Sequence, residues 1–225
     1  VDRSRGLGDV YKRQVLITYA DTVTESDRPG LWSLRNLVNR HLEPFASVIH
    51  VLPFLRSTSD GGFAVASYDH LEERHGDWSD LASLGKGRRL MADLVLNHVS
   101  ASHPWVQQFL RREEPGQSCV LEAAPDPCWD NVVRPRSTAL FTQLGGAEAG
   151  KRQVWTTFGP DQVDLNWRSP EVLIGFADLL QQMCRHGVRW IRLDAVGFVW
   201  KEPNTTCIHR PEAYSLVKVL RLLLE

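Results

Sequence analysis

The chain has 225 residues, of which 43 % are hydrophobic, and its 26 basic and 27 acidic residues leave it almost neutral. No basic block or aromatic-interleaved basic stripe supports a nucleic-acid partner or a membrane surface. No apolar run approaches the length of about 18 residues that a membrane span needs, and the first residues lack a signal-peptide pattern, so we expect a cytoplasmic protein that acts on small molecules.

The two ends of the chain differ from the rest. Residues 1–14, VDRSRGLGDVYKRQ, show no apolar periodicity, and the stretch DVYKRQ resembles a translated sequencing-library adaptor. We therefore interpret residues 1–14 as a non-native segment, with a natural disordered tail as the alternative. The last residues, VLRLLLE, lie inside a helical pattern with no cap, Gly or Pro to end it, so we expect the chain to be truncated.

From Val15 onward, short apolar runs alternate with helical patterns. Strands are predicted at 15–20, 47–53, 90–96 and 188–195. Helices are predicted near 30–43, at 78–85 with Asp77 as the cap, at 171–187 ending at Gly187, and from Pro211 onward. This order is typical of a parallel α/β protein, and strands that are apolar on both faces indicate a sheet covered by helices.

The fold class that these elements predict is α/β, with the N-terminal half of a (β/α)8 barrel, because a full barrel needs about 250 residues. A doubly wound open sheet is the alternative, but no glycine-rich phosphate-binding turn follows any strand. Residues 15–98 would form the first three strand–helix units. Residues 99–168 show little periodicity and would form a long inserted excursion, which is typical of functional segments, and 169–225 would hold helix three, strand four and the start of helix four.

Four cysteines, Cys119, Cys128, Cys184 and Cys207, are too few and too widely spaced for a disulfide framework or a C-x-x-C metal site. We expect reduced thiols. A bridge between Cys119 and Cys128 across a loop is the alternative.

Two opposite charges lie in the last predicted strand, within GVRWIRLDAVGF at 187–198. Arg192 and Asp194 are two residues apart, so their side chains share one face, and each would compensate the cost of burying the other. At the C-terminal end of a barrel strand, that face opens into the mouth where substrates bind. The guanidinium would keep Asp194 ionised and oriented, as a nucleophile requires, unless the pair only fixes the strand's geometry.

Polar residues also follow other strands. Asn97 and His98 end strand three, Asp60 lies in a glycine-bearing turn after strand two, and Asp164 lies in the excursion. Because the C-terminal ends of barrel strands meet at one mouth, we expect these side chains to converge there. A histidine satisfied within the core is the alternative for His98.

At these residues the chain resembles the α-amylase family of glycoside hydrolases, glycoside hydrolase family 13. Residues 93–98 match its DxxxNH motif at strand three, and residues 192–194 match its RxD motif at strand four. The likeness runs from Val15 to the end and is most specific to the sucrose phosphorylase branch, in the ordered stretches VLITYAD, DGGF, GDW, RPR, DQVDLN, IRLDAVGF and KEPNTTC. The stretch FVWKEPNTTCIHRPEAY, 198–214, is similar to the glucosylglycerate phosphorylases of that branch, whereas sucrose phosphorylases usually carry tyrosine at the position of Phe198.

The resemblance implies a role for each matching residue. Asp194 would be the nucleophile and Arg192 its charge partner. Asp60 and His98 would hold hydroxyl groups of the glucosyl ring.

Three further positions would contact substrate. Phe198 departs from the usual tyrosine at a substrate-binding position. Arg136, in RPRS, would face phosphate or the acceptor, with a solvated surface arginine as the alternative. Trp200 would either stack on a sugar face or pack within the protein.

The activity that the resemblance implies is retaining glucosyl transfer from an α-glucoside to phosphate, through a covalent glucosyl enzyme, which gives α-glucose 1-phosphate. The glucoside would be sucrose, sucrose 6-phosphate or glucosylglycerate. The family's catalytic Glu lies at the end of strand five, which we expect beyond residue 225, so the 225-residue chain alone should be inactive. Two other functions stay open: an α-glucoside hydrolase or transglucosidase, and a non-catalytic amylase-like binding subunit.

The predicted partners are therefore a small-molecule glucoside and inorganic phosphate as co-substrate, with the protein a monomer or a homodimer. Amylases often bind calcium near the strand-three Asn, and the excursion corresponds to their B-type domain. Because no acidic cluster demands a cation here, we predict no metal ion and no cofactor.

Overall fold

The computed structural model describes residues 14–42, 45–146 and 150–224. Its strands are β1 (Gln14–Thr18), β2 (Ala46–Val51), β3 (Arg89–Val95), β4 (His98–Ser100), β5 (Phe141–Leu144), β6 (Arg152–Trp155), β7 (Gln162–Asp164) and β8 (Val188–Asp194). Its α-helices are α1 (Gly30–Leu37), α2 (Trp78–Leu84), α3 (Pro104–Arg111), α4 (Gly116–Cys119), α5 (Pro170–Arg185) and α6 (Pro211–Leu222). The segment interpreted as non-native, 1–14, lies outside the described residues except for Gln14, which begins β1.

The chain divides into two compact units. The first comprises the described residues up to Arg56, with Tyr68–Leu94 and Gln182–Arg192. The second comprises Ser57–Ser67, Val95–Gln181 and the described residues from Leu193. The predicted excursion, 99–168, falls in the second unit, and its exact boundaries stay a prediction.

Four strands form one sheet in the order β1-β2-β3-β8. β1 pairs with β2, and β2 with β3, in parallel, as the alternation of strands and helices predicts. Almost every residue of β2 is buried, in keeping with a strand covered on both faces. β1 and β8 lie at the two ends of this order and leave Ile17 62 % and Trp190 44 % exposed.

Local sequence signals set the helix ends. The Asp77 side chain accepts hydrogen bonds from the backbone N–H groups of Ser79 and Asp80, and the Asp80 side chain accepts from the Asp77 N–H, which completes a capping box at α2. Pro211 begins α6, where its missing N–H has no cost. Gly187 follows α5 with a left-handed φ of 88°, so both predicted ends are confirmed.

The excursion contains more regular structure than its weak periodicity predicts. It holds α3, α4 and two antiparallel ladders, β4 with β7 and β5 with β6. α3 is eight residues long, and each of these strands has three or four, so no stretch is long enough to display a clear period. The β4–β7 ladder joins residues that are distant in sequence, with His98 opposite Asp164.

Two further observations concern the whole described chain. Cys119, Cys128, Cys184 and Cys207 are all unbridged in the structure, so the reduced state stays the prediction. Among the described residues, no helix combines the length and the apolar character that crossing a membrane requires.

The cap of α2 gives a first prediction. Replacing Asp77 with Ala should lower the free energy of unfolding by about 1 kcal/mol at neutral pH, because it leaves helix N–H groups without an acceptor. Hydrogen bonds from Ser79 and Asp80 lower the pKa of Asp77 below its ordinary 3.8, so the difference should vanish as the pH falls through the lowered pKa. Chemical denaturation measures both effects, with Asp27→Ala, at an exposed turn, as the control. Equal stability of the two variants at pH 7 would contradict the assignment.

Candidate active site

The candidate nucleophile, Asp194, is the last residue of β8 in the second unit. The backbone N–H of Leu96 donates to the Asp194 carbonyl oxygen at 3.4 Å, so this strand end lies beside the connection between β3 and β4. Ala195 then takes a left-handed φ of 52° and turns the chain into a short 3-10 helix, Val196–Phe198. Asp194 therefore lies at a strand end close in space to the start of β4, where His98 is located.

A single amide joins the two residues predicted to hold the glucosyl ring. The Gln162 Nε2 atom lies 2.9 Å from Asp60 Oδ2 and 3.0 Å from His98 Nε2. Because an amide nitrogen carries two hydrogens and only donates, it can give one to each partner. The structure thus brings Asp60 and His98 together, as the motif positions predicted.

Burial sets the protonation state of His98. The side chain is almost completely buried, and desolvation lowers the pKa of His98 to about 4, against the opposing attraction of Asp164 and Asp60. At neutral pH the ring is therefore uncharged, and its Nε2 accepts the hydrogen bond from Gln162. A neutral imidazole can serve as a hydrogen-bonding group for a hydroxyl without introducing a second charge.

Aromatic rings lie against the same histidine. The Phe158 ring centroid is 5.1 Å from that of His98, and Phe198 meets Phe158 edge to face at 5.3 Å. Phe198 is thereby connected to the group that contains His98. We call Asp60, His98, Phe158, Gln162 and Phe198 the polar–aromatic cluster.

Arg136 reaches this cluster from the excursion. Its Nη2 atom lies 3.5 Å from Asp60 Oδ2, and about half of its side chain is exposed. An exposed guanidinium presents planar donors that suit phosphate or carboxylate oxygens. The structure thus places Arg136 next to a predicted sugar-binding residue, while its role toward phosphate stays a prediction.

Trp200 lies apart from the cluster. The Arg168 guanidinium stacks over its ring at 4.3 Å, and both residues line an open groove of about 590 Å³ beside α6. No member of the polar–aromatic cluster lines that groove. The contact with Arg168 favours a packing role, and stacking on a sugar stays a prediction.

Asn97 and Asp164 were expected at a mouth together with His98, but both are completely buried. Asp164 Oδ2 accepts hydrogen bonds from Asn97 Nδ2 at 2.9 Å and from Thr157 Oγ1 at 2.6 Å, and it forms an ion pair of 2.5 Å with Lys201 Nζ. A buried carboxylate needs such partners, so Asn97 and Asp164 lie beside His98 but form an internal network.

The buried ammonium of Lys201 completes this network. Its Nζ atom also donates to Asn97 Oδ1 at 2.6 Å and to the Phe198 carbonyl oxygen at 2.5 Å. Desolvation lowers the pKa of Lys201, and Asp164 opposes that effect by stabilising the charged form. Three oxygens, from Asp164, Asn97 and the Phe198 carbonyl, thus surround the buried ammonium.

Arg192 belongs to the first unit and is paired there. It donates to Asp93 Oδ1, and His50 Nε2 lies 2.7 Å from Asp93 Oδ2, so this completely buried carboxylate has a partner on each oxygen. The Arg192 side chain is 44 % exposed, which differs from the buried position that the strand pattern suggested. Its predicted role as the charge partner of Asp194 stays a prediction.

The sequence reasoning missed the connecting residues. Gln162 lies in the motif DQVDLN, and Lys201 lies in KEPNTTC. The motifs therefore identified the segments that contain these residues, but not their roles. Phe158 lies just before that first motif. Nothing in their residue types indicated that an amide would bridge Asp60 to His98, or that a lysine would be buried.

The parallel sheet and the motif residues together indicate the protein family. A profile described as the alpha amylase catalytic domain matches residues 45–218, and the chain belongs to the α-amylase family. The predicted fold class, half of a (β/α)8 barrel, is confirmed by this match and by the related structures.

Individual relatives within this family give a more specific comparison. The chain is 42 % identical over 214 residues to a glucosylglycerate phosphorylase of Allomeiothermus silvanus, which covers 95 % of this chain and 38 % of the relative. It is 31 % identical over 218 residues to a sucrose phosphorylase of Bifidobacterium adolescentis, covering 92 % and 42 % respectively. The crystal structure of a sucrose 6F-phosphate phosphorylase from Thermoanaerobacter thermosaccharolyticum superposes with a TM-score of 0.86 at 25 % identity, over 95 % of this chain and 46 % of that one. The chain thus spans about two fifths of the length of these relatives.

The buried ion pair gives a second prediction. Replacing Lys201 with Met should lower the free energy of unfolding by about 3–5 kcal/mol, because it leaves the Asp164 carboxylate buried without a counter-charge. Adding Asp164→Asn to that variant should restore part of the loss. Denaturant unfolding measures the series, with Lys218→Met, an exposed lysine of α6, as the control. A Lys201→Met protein as stable as the control would contradict the network.

Proposed function

We propose that the full-length protein transfers a glucosyl group from an α-glucoside to inorganic phosphate with retention of configuration. The observation that carries the proposal is the cluster of Asp60, His98 and Gln162 in the same unit as Asp194, in a chain 36–42 % identical to three glucosylglycerate phosphorylases. The product would be α-glucose 1-phosphate.

The proposed chemistry is a double displacement. A carboxylate oxygen of Asp194 attacks the anomeric carbon, the bond to the leaving oxygen breaks, and an acid protonates that oxygen. A phosphate oxygen then attacks the anomeric carbon from the vacated side and releases Asp194. Two inversions give net retention, and the acid group should stand about 5–5.5 Å from Asp194.

The polar–aromatic cluster would bind the glucosyl ring. The Asp60 carboxylate and the neutral imidazole of His98 offer hydroxyl-binding groups whose relative placement is fixed by Gln162. Phe158 and Phe198 offer apolar surface beside them. Together they would orient the anomeric carbon and limit the access of water, which competes with phosphate for the intermediate.

Arg136 would bind the attacking phosphate. Its guanidinium is exposed and lies 3.5 Å from the Asp60 carboxylate, so it stands next to the proposed ring-binding group. Asp60 would hold the guanidinium at that position without covering it, because about half of the Arg136 side chain remains accessible.

Glucosylglycerate is the proposed donor, in preference to sucrose and sucrose 6-phosphate. Relatives named for glucosylglycerate are 36–42 % identical to this chain, whereas those named for sucrose or its phosphate are 26–31 % identical. The Trp-Lys-Glu stretch at 200–202 also suggested this donor. Its lysine, Lys201, is buried in the internal network. The cytoplasmic location, the monomeric or dimeric state and the lack of a metal ion or cofactor stay predictions.

The decisive assay incubates the full-length protein with glucosylglycerate, sucrose or sucrose 6-phosphate, with and without phosphate. Release of α-glucose 1-phosphate from glucosylglycerate, dependent on phosphate, is the expected result. Asp194→Asn should lower it by about 10⁴-fold or more, because it removes the attacking carboxylate. Asp178→Asn, on an exposed position of α5, serves as the control. Release of free glucose at the same rate with or without phosphate would instead indicate a hydrolase, and no turnover of any glucoside would indicate a binding subunit.

The anion role of Arg136 has its own test. Arg136→Ala should raise the KM for phosphate by about tenfold or more while changing the KM for the glucoside little, because a lost charge-assisted contact weakens anion binding. Initial-rate kinetics with each substrate varied in turn measure both constants. Arg134→Ala, on an exposed arginine two residues away, is the matched control. An equal rise in both constants would remove Arg136 from this role.

A further inference from the structure

Asp161 lies immediately before Gln162, and the function proposed above gives it no part. One of its carboxylate oxygens, Oδ2, accepts hydrogen bonds from the hydroxyl groups of Thr58 and Ser59, both at 2.6 Å. The other, Oδ1, accepts from the Ser100 hydroxyl and from the Ala101 backbone N–H, both at 3.1 Å. Four donors meet the roughly four acceptor sites that an ionised carboxylate offers.

The donors on Oδ2 belong to the turn that carries Asp60. Ser59 directly precedes Asp60, which adopts a left-handed φ of 53°, and Gly61 follows with a φ of 61°. A left-handed backbone is unfavourable for a residue with a Cβ atom, so the Asp60 conformation needs support from its surroundings. Two short hydrogen bonds to the preceding residues supply that support.

The donors on Oδ1 belong to the strand that carries His98. Ser100 is the last residue of β4, two residues after His98, and Ala101 follows it. β4 pairs with β7, so Asp161 connects the end of that ladder to the turn at 58–60. One carboxylate thus connects the two segments that present the proposed ring-binding residues.

Gln162, the next residue, connects the same two segments through their side chains. Gln162 bonds the side chains of Asp60 and His98, while Asp161 bonds the segments that bear them. Burial raises the pKa of Asp161, but the hydrogen bonds from Ser59, Thr58, Ala101 and Ser100 together outweigh burial and lower it. The carboxylate is therefore ionised at neutral pH and acts only as an acceptor.

We propose that Asp161 is a positioning residue for the glucosyl site, which aligns the Asp60 carboxylate with His98 by holding the turn at 58–60 against the end of β4. This inference rests on the proposed function for the identity of the bound sugar. Asp161 acts through Thr58 and Ser59 and makes no contact with the sugar itself.

The principal test replaces Asp161 with Asn, which keeps the size but turns one acceptor into a donor facing hydroxyl and N–H groups. In the full-length protein, kcat/KM for glucosylglycerate should fall by about 10- to 100-fold, since a small misplacement of a binding group has effects of that order. The KM for phosphate should change less than twofold. Asp126→Asn is the matched control, because Asp126 is an exposed carboxylate of the same excursion that caps only its own segment. A loss shared equally by both substrates, or no difference from the control, would overturn the proposal.

A double-mutant cycle separates positioning from general destabilisation. Thr58→Ala with Ser59→Ala should reproduce much of the loss, and adding Asp161→Asn should cause little further loss, because each change breaks the connection between Asp161 and the turn at 58–60. Full additivity would overturn the proposal. If Asp161→Asn does not fold, Ser59→Ala alone gives the comparison, since Ser59 is exposed, and an unchanged kcat/KM would count against the proposal.

Glucose affinity, measured by calorimetry, distinguishes failure of this inference from failure of the proposed function. If the wild-type protein binds glucose but releases no glucose 1-phosphate, the proposed function fails. Weaker glucose binding by Asp161→Asn would then still support positioning. If phosphorolysis is observed and Asp161→Asn keeps wild-type affinity and rate, positioning fails while the function stands.

Discussion

The buried ion pair between Lys201 and Asp164 is the constraint on which the second unit depends. Its ammonium bonds oxygens from the β3–β4 connection, from the excursion and from the turn that follows β8, so three segments distant in sequence share one charge. Burying an ammonium and a carboxylate is costly, and full hydrogen bonding offsets that cost only when every partner is in place. The network therefore favours one arrangement of the loop after Asp194 over many alternatives.

Neighbouring residues between 161 and 164 have different roles in the site. Just before β7, Asp161 accepts hydrogen bonds from two separate segments, whereas within β7 Gln162 bonds two polar side chains and Asp164 neutralises the buried lysine. Alternating side chains of a strand point to opposite faces, so residues 162 and 164 share one face. This short strand and the residue before it thus connect several elements of the second unit.

Much of the fold was predictable, because strand and helix positions depend on local apolar spacing and on caps such as Asp77 and Gly187. The structure of the excursion was less predictable, because its short ladders pair residues such as His98 and Asp164 that are far apart in the chain. Motif positions located Asp60 and His98, but not the amide between them. Arg192 illustrates this limit, because its pairing with Asp93 of another strand had no signal in the sequence around either residue.

The left-handed backbone of Asp60 has a consequence for protein engineering. Most replacements at this position would change two properties at once, the charge of the side chain and the path of the main chain. Asparagine and glycine tolerate the conformation, so they alone separate the two contributions. In a saturation library, variants that tolerate this backbone should therefore show only the effect of the lost carboxylate. Bulkier and β-branched residues should add an effect of backbone strain.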